Sequence, residues 1–173
     1  NRANKQVTCR HCKSGEYTTL AYAKLVIAPG ARANMPPIPG IDLPGVTTLL
    51  SMADTDYLRA IRDAGEVKRA VVIGGGLIGV EACEALQQSG IQVTVVEAVD
   101  QVLTFLDWDL AKLVENHMQA KGVRVLTGIG VKEFVGENGK LIGVKLADGT
   151  VLECGLAVMA IGVRPNSELA KEA

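Results

Sequence analysis

The residues best suited to chemistry are six positions in a row and one acid further on. Gly74-Gly75-Gly76-Leu77-Ile78-Gly79 has the spacing G-x-G-x-x-G, and Glu97 follows Gly79 by 18 residues (97 − 79). In a turn that holds a pyrophosphate each glycine has a separate task. Gly74 permits the tight turn, Gly76 lets backbone N–H groups approach the anion with no Cβ in the way, and Gly79 lets helix and strand pack closely. The helix N-terminus then presents unpaired donors and partial positive charge to the anion. The spacing alone is weak evidence, because glycines also mark ordinary tight turns with an unrelated glutamate nearby. The context favours a dinucleotide site: the buried-type strand "RAVVI" precedes the turn, a helix over 77–89 follows, and a second strand, "IQVTVVE", ends on the acid.

An acid at the end of that second strand accepts hydrogen bonds from an adenosine ribose diol. It also selects against a 2′-phosphate, which at about 4–5 Å is repelled by roughly 1–4 kcal/mol, depending on the local dielectric. Ala98-Val99-Asp100 supply no arginine or lysine to reverse this. The residues therefore predict NADH over NADPH by at least about tenfold, since roughly 1.4 kcal/mol is one decade.

Cys9 and Cys12 are the other pair with a chemical spacing. A zinc site needs a second pair, and Cys83 and Cys154 stand alone in other elements. "QVTCRHCKSGEYTTL" also reads as strand, Ser-Gly turn, strand, in which residues three apart point to opposite faces. Ordinary strand cysteines and a metal or redox pair are thus the two readings, and the first is preferred. Cys83 is expected to be a small core residue. His11 and His117 are isolated, and Trp108 beside Phe105 reads as packing at a helix start. No residue is assigned a catalytic or metal-binding role.

The elements that must position these residues follow a recognisable order. Residues 7 to 28 read as a three-stranded antiparallel meander, "VTCRHC", "EYTTLAY" and "KLVIA". Residues 29 to 47 hold five of the six prolines and must be an extended crossing segment. Ser51-Met-Ala-Asp54 starts a helix in capping-box style, with Leu58 and Ile61 facing a core and Gly65 near its end. From Arg69 strands and helices alternate, with Asp107 capping a helix to about Lys121 and "VRVLT" as the third strand, which means a parallel sheet with covering helices. After Gly128 the period becomes two. Asn138-Gly139 and Asp148-Gly149 are hairpin turns joining three short antiparallel strands, and "LAVMAIG" closes as a buried strand. The fold class is α/β: a Rossmann-like dinucleotide-binding fold with a parallel sheet, covering helices and a three-stranded antiparallel meander.

The 173 residues are 48% apolar and 21% charged, with net charge −1. That composition argues against disorder and gives no basic excess for nucleic acid or an anionic membrane. No apolar run approaches the roughly 18–20 residues of a membrane span. Four cysteines without a secretion signal fit a reducing, cytoplasmic compartment. A chain opening on Asn1 reads as processed or cut from something longer.

With these pieces in order, the chain resembles the pyridine nucleotide-disulfide oxidoreductases, and within them most closely the coenzyme A-disulfide reductases and NADH oxidases. "AYAKLVIAPGA" is similar to the family's handover from flavin domain to NAD(P)H domain, with Pro29 where threonine is usual. "PPIPGID" resembles the crossing that follows, "VVIGGGLIGVE" the NAD(P)H loop, and "AVMAIGVRPNSELAKEA" the return to the flavin domain. The resemblance implies residues 1–30 as a meander remnant of a flavin domain, 31–50 as the Pro-rich crossing, 51–164 as the NAD(H)-binding domain and 165–173 as the start of the return. It implies that Gly74, Gly75, Gly76 and Gly79 with Leu77 and Ile78 hold the pyrophosphate, that Glu97 with Ala98 takes the adenosine ribose, and that Glu81 and Gly162 lie toward the nicotinamide. Leu77 replaces a tyrosine that covers the flavin in many relatives. The implied parent is a homodimer in which NADH reduces FAD, and electrons pass to a disulfide, persulfide, peroxide or oxygen. Its flavin and dimerisation domains are expected outside this chain, so these residues alone are expected to bind NADH without turnover. The alternatives are the equivalent piece of a rubredoxin or ferredoxin reductase, and a stand-alone NADH-sensing module.

Overall fold

The computed structural model describes residues 1–172. The elements run β1 (Gln6–Arg10), β2 (Tyr17–Ala21), β3 (Ala31–Ala33), β4 (Val46–Thr48) and α1 (Met52–Ala64). Then come β5 (Arg69–Ile73), α2 (Leu77–Gln88), β6 (Gln92–Val96), α3 (Trp108–Ala120) and β7 (Arg124–Leu126). The remainder is β8 (Val131–Glu137), β9 (Lys140–Leu146), β10 (Val151–Glu153), β11 (Leu156–Met159), β12 (Val163–Pro165) and α4 (Glu168–Glu172). The chain divides into two compact units, residues 33–163 and residues 1–32 with the stretch from Arg164 onward. β3 and β12 pair in a two-stranded ribbon.

The larger unit is built on a five-stranded sheet of order β4-β11-β5-β6-β7, whose neighbouring strands are parallel. A parallel sheet is covered on both faces, and its strands are accordingly apolar on both. Alternate residues of β5 divide between two cores, as strand geometry requires. Ala70 and Val72 join Cys83 and Leu86 of α2 and Met118 of α3, with Leu58 and Ile61 of α1 packed against them. Val71 and Ile73 face the other way, onto Phe134, Val144 and Leu152 of the antiparallel sheet β10-β9-β8. Helices therefore cover one face and the expected three-stranded antiparallel sheet covers the other.

α1 starts as its sequence predicts. The Ser51 side chain accepts from the Asp54 N–H, the Asp54 carboxylate accepts from the Ser51 N–H, and Gly65 ends the helix in the left-handed region. Asp107 stands at the N-cap of α3, but its side chain makes no capping hydrogen bond. The Pro-rich segment contributes β4 as the edge of the parallel sheet, a place that tolerates its neighbour Pro44.

In the smaller unit the meander differs from expectation. β1 and β2 form an antiparallel hairpin with Gln6 opposite Ala21 and Arg10 opposite Tyr17, but residues 24–28 form no strand. Leu25, Val26 and Ile27 are 46, 87 and 37% exposed. A β-prone run becomes a strand only where a neighbour's N–H and C=O groups lie alongside, and among the described residues this sheet has two strands. Arg32, Asn166 and Glu168 also belong to this unit. The Arg32 guanidinium donates to Asn166 Oδ1 at 2.6 Å and to Glu168 Oε1 at 2.7 Å.

Candidate functional site

In an open α/β sheet, ligands bind beyond the carboxyl ends of the strands where strand order reverses. Here the chain runs outward from β5 through β6 to β7, then returns to place β11 on the other side of β5. Above that reversal lies a cleft of about 730 Å³. Its walls are the glycine turn Gly74–Ile78, Glu97–Val99 beyond β6, Leu103–Phe105, and Ala160–Gly162 beyond β11.

The four glycines are required for different reasons. Gly74 has φ +106°, and its N–H donates to Val96 O at 2.8 Å; a Cβ there would stand 2.5 Å from Ala160 O. A Cβ on Gly79 would overlap the Gly74 carbonyl, so this glycine brings α2 against the turn from beneath. A Cβ on Gly75 would meet Val102 Cγ1 at 2.8 Å. At Gly76 nothing lies within 4 Å of the Cβ position. The space at three of the glycines is filled by protein, and at the fourth it is open.

Gly76 is also the N-cap of α2, in an extended conformation, and offers no side chain to the first-turn amides. The helix hydrogen-bond ladder begins with Val80 N–H to Gly76 O at 2.9 Å. The N–H groups of the first turn precede that ladder, and the helix dipole adds positive charge to them. An open Cβ position beside an uncapped twelve-residue helix fits a pyrophosphate.

Glu97 sits half-buried just past β6. Its Oε2 accepts from the Gly75 N–H at 2.7 Å and its Oε1 from the Val99 N–H at 3.1 Å. The backbone is pinned too: Glu97 N–H donates to Leu126 O, and Glu97 O accepts from Ile129 N–H. The carboxylate keeps further lone pairs for hydroxyl donors. Among the described residues, no lysine or arginine lines the cleft.

A model of the pyridine nucleotide-disulphide oxidoreductases matches residues 1–173. The chain belongs to this family. It is 34% identical to an NADH oxidase of Enterococcus faecalis over 173 residues, covering 99% of this chain and 38% of that protein. An NAD-dependent persulfide reductase from A. fulgidus has a TM-score of 0.93 and 40% identity, over 100% of this chain and 32% of that one. A water-forming NADH oxidase from Lactobacillus brevis, in a structure bound to NADH, has a TM-score of 0.89 and 34% identity, over 99% of this chain and 38% of that one. The chain thus spans about a third of the length of these relatives.

In this chain Gly74, Gly75, Gly76, Leu77, Ile78, Glu97, Ala98 and Gly162 meet on one cleft. Gly79 lies under the turn, and Glu81, exposed on α2, is not among the residues that line the cleft. Sequence reasoning missed Leu103, Thr104, Phe105, Val99, Ala160 and Ile161. The first three come from a loop latched to the turn: the Leu103 N–H donates to Gly75 O at 2.8 Å, and Val102 is fully buried against Gly75. Phe105 and Trp108, read as packing, are 64 and 63% exposed. Both lie outside the two cores, Phe105 on the cleft wall and Trp108 with Lys112 Nζ 5.9 Å from its ring centre.

Cys9 and Cys12 are both exposed, and β1 ends at Arg10, so Cys12 lies past the strand and outside its alternation. His11 Nδ1 accepts from the Ser14 N–H at 3.1 Å. Cys83 and Cys154 are buried, and burial pushes both thiols up to about 11. No helix among the described residues is long and apolar enough to cross a membrane.

Proposed function

We propose that this chain is the NADH-binding part of a FAD-dependent oxidoreductase. NADH would supply a hydride and FAD, held by a flavin domain of the parent, would accept it for delivery to a disulfide, persulfide, peroxide or oxygen. The observation that carries the reading is the carboxylate of Glu97, fixed at the cleft edge by two backbone N–H groups beside the open Gly76. The first turn of α2 would neutralise the pyrophosphate, and Glu97 with Ala98 would hold the adenosine ribose. Gly162, at φ +90°, would let backbone approach the nicotinamide, with Glu81 toward the same end. That a relative of the same fold is bound to NADH supports NADH as the ligand.

In this reading residues 51–164 are the NAD(H) domain, 31–50 the crossing, and 1–30 with 165–173 the flavin-side portions of a homodimeric parent. The sequence holds one G-x-G-x-x-G. A single dinucleotide turn carries the donor and leaves the flavin to another part, so these residues alone bind NADH without turning it over. Titration of the 173-residue chain with NADH and NADPH, followed by nicotinamide fluorescence, tests the reading. Saturable NADH binding between about micromolar and millimolar supports it. Absence of binding at millimolar NADH removes it.

A further inference from the structure

We infer that Asn34 is a positioning residue for the far end of the cleft, the end that takes the nicotinamide on the reading just given. The cleft has two ends because the sheet reverses at β5. Glu97 marks one, beyond β6, and Ile161–Gly162 marks the other, beyond β11. Ala160 is the last residue of that wall tied to the sheet, through its N–H to Ile73 O at 2.7 Å. Past it the chain turns through Gly162, in the left-handed region at φ +90°.

Asn34 grips this corner twice. Its backbone N–H donates to Gly162 O at 3.0 Å, and its side-chain Nδ2 donates to Ile161 O at 3.3 Å. The same Nδ2 stands 3.6 Å from the Cβ position of Gly162, in van der Waals contact with the corner itself. Two successive carbonyls are thereby committed to one residue, which sets the direction of the peptide between them.

The segment carrying Asn34 is suited to hold it still. Pro36, Pro37 and Pro39 restrict the backbone that follows. Ile38 N–H bonds Pro36 O at 2.7 Å, and Pro39 O accepts from Phe134 N–H of β8 at 2.8 Å. The Pro-rich stretch, which in the sequence reads only as a crossing, thus braces the cleft wall. Asparagine suits the position because it donates to a carbonyl; aspartate of the same size has no donor there and sets a carboxylate against the carbonyl oxygen.

The test compares two probes on the 173-residue chain, its Asn34→Ala variant and its Asn34→Asp variant. NADH reaches both ends of the cleft, whereas ADP-ribose reaches the Glu97 end and lacks the nicotinamide. The backbone bond survives both substitutions, so the comparison reads the side chain alone. Loss of one such hydrogen bond weakens NADH by about threefold to tenfold. ADP-ribose affinity stays within about twofold, and the fluorescence yield of bound nicotinamide changes. Unchanged NADH affinity and yield, or equal losses for both probes, overturn the inference while leaving NADH binding by the wild type intact. A wild-type chain that binds ADP-ribose and not NADH, or neither, overturns the functional reading and the inference with it.

Discussion

The Glu97 carboxylate and the Gly75 N–H, 22 positions apart in the chain, meet in a hydrogen bond of 2.7 Å. The bond joins the end of β6 to the turn that follows β5. It places a fixed negative charge beside the one glycine of the turn whose Cβ position is open. The same acid that would read a ribose therefore also shapes the phosphate turn.

Coenzyme choice follows from that charge. NADH should bind at least about tenfold more tightly than NADPH, because the 2′-phosphate meets Glu97 with no lysine or arginine among the described residues of the cleft wall. Glu97→Gln keeps an oxygen for the Gly75 N–H and removes the charge, so the discrimination should shrink to below about threefold. Dissociation constants for both coenzymes check this, and equal affinities in the wild type would falsify the role given to Glu97.

Two glycines of the motif should fail in opposite ways. Gly76→Ala meets no protein atom within 4 Å and has an ordinary φ of −75°, so thermal stability should barely change while NADH binding falls at least about tenfold. Gly79→Ala drives a methyl into the Gly74 carbonyl and should destabilise the fold by about 1–3 kcal/mol. Thermal melts run beside NADH titrations separate the two. A Gly76→Ala chain that binds normally would mean that the pyrophosphate lies elsewhere.

The thiols should divide by burial. Cys9 and Cys12 are exposed, whereas Cys83 and Cys154 are buried with thiols raised to about 11 by desolvation. A chromogenic disulfide reagent at neutral pH should titrate two thiols quickly in the folded chain and all four in denaturant. Rapid reaction of Cys83 would show that α2 opens readily from the sheet.

Acid should loosen the Arg32–Glu168 pair. The hydrogen bond from the Arg32 side chain is the main cause that lowers the Glu168 carboxyl from 4.5 to about 2. A carboxyl lowered on folding contributes its stability above its unfolded value and loses it as pH falls toward the folded one. The pair is thus intact above about pH 4.5 and lost toward pH 2, and salt weakens it because both groups are half-exposed. A carboxyl NMR titration of Glu168 should show a low midpoint that returns toward 4.5 in Arg32→Ala. An unchanged midpoint in that variant would assign the shift to another group.

Much of this arrangement was legible in the sequence where the cause is local. A capping box needs Ser51 and Asp54 three residues apart, and α1 starts there. Hairpin turns at Asn138-Gly139 and Asp148-Gly149 need only their own residues, and β8, β9 and β10 follow from them. Residues 24–28 show the limit. Their apolar, β-prone character is real, but a strand also needs a partner, and partnership is not a property of the run.

The sequence by itself determined the glycine spacing, the distance to Glu97, and the alternation of strands and helices that makes a parallel sheet. These follow from backbone sterics and side-chain period, which act over a few residues. Only the tertiary structure decided that Val102 fills the space at Gly75 while Gly76 stays open, and that Phe105 lines the cleft instead of packing in a core. It alone brought Asn34 to the carbonyl of Ile161, 127 positions away. Such contacts depend on which faces the folded sheet brings together, and no pattern within either segment encodes them.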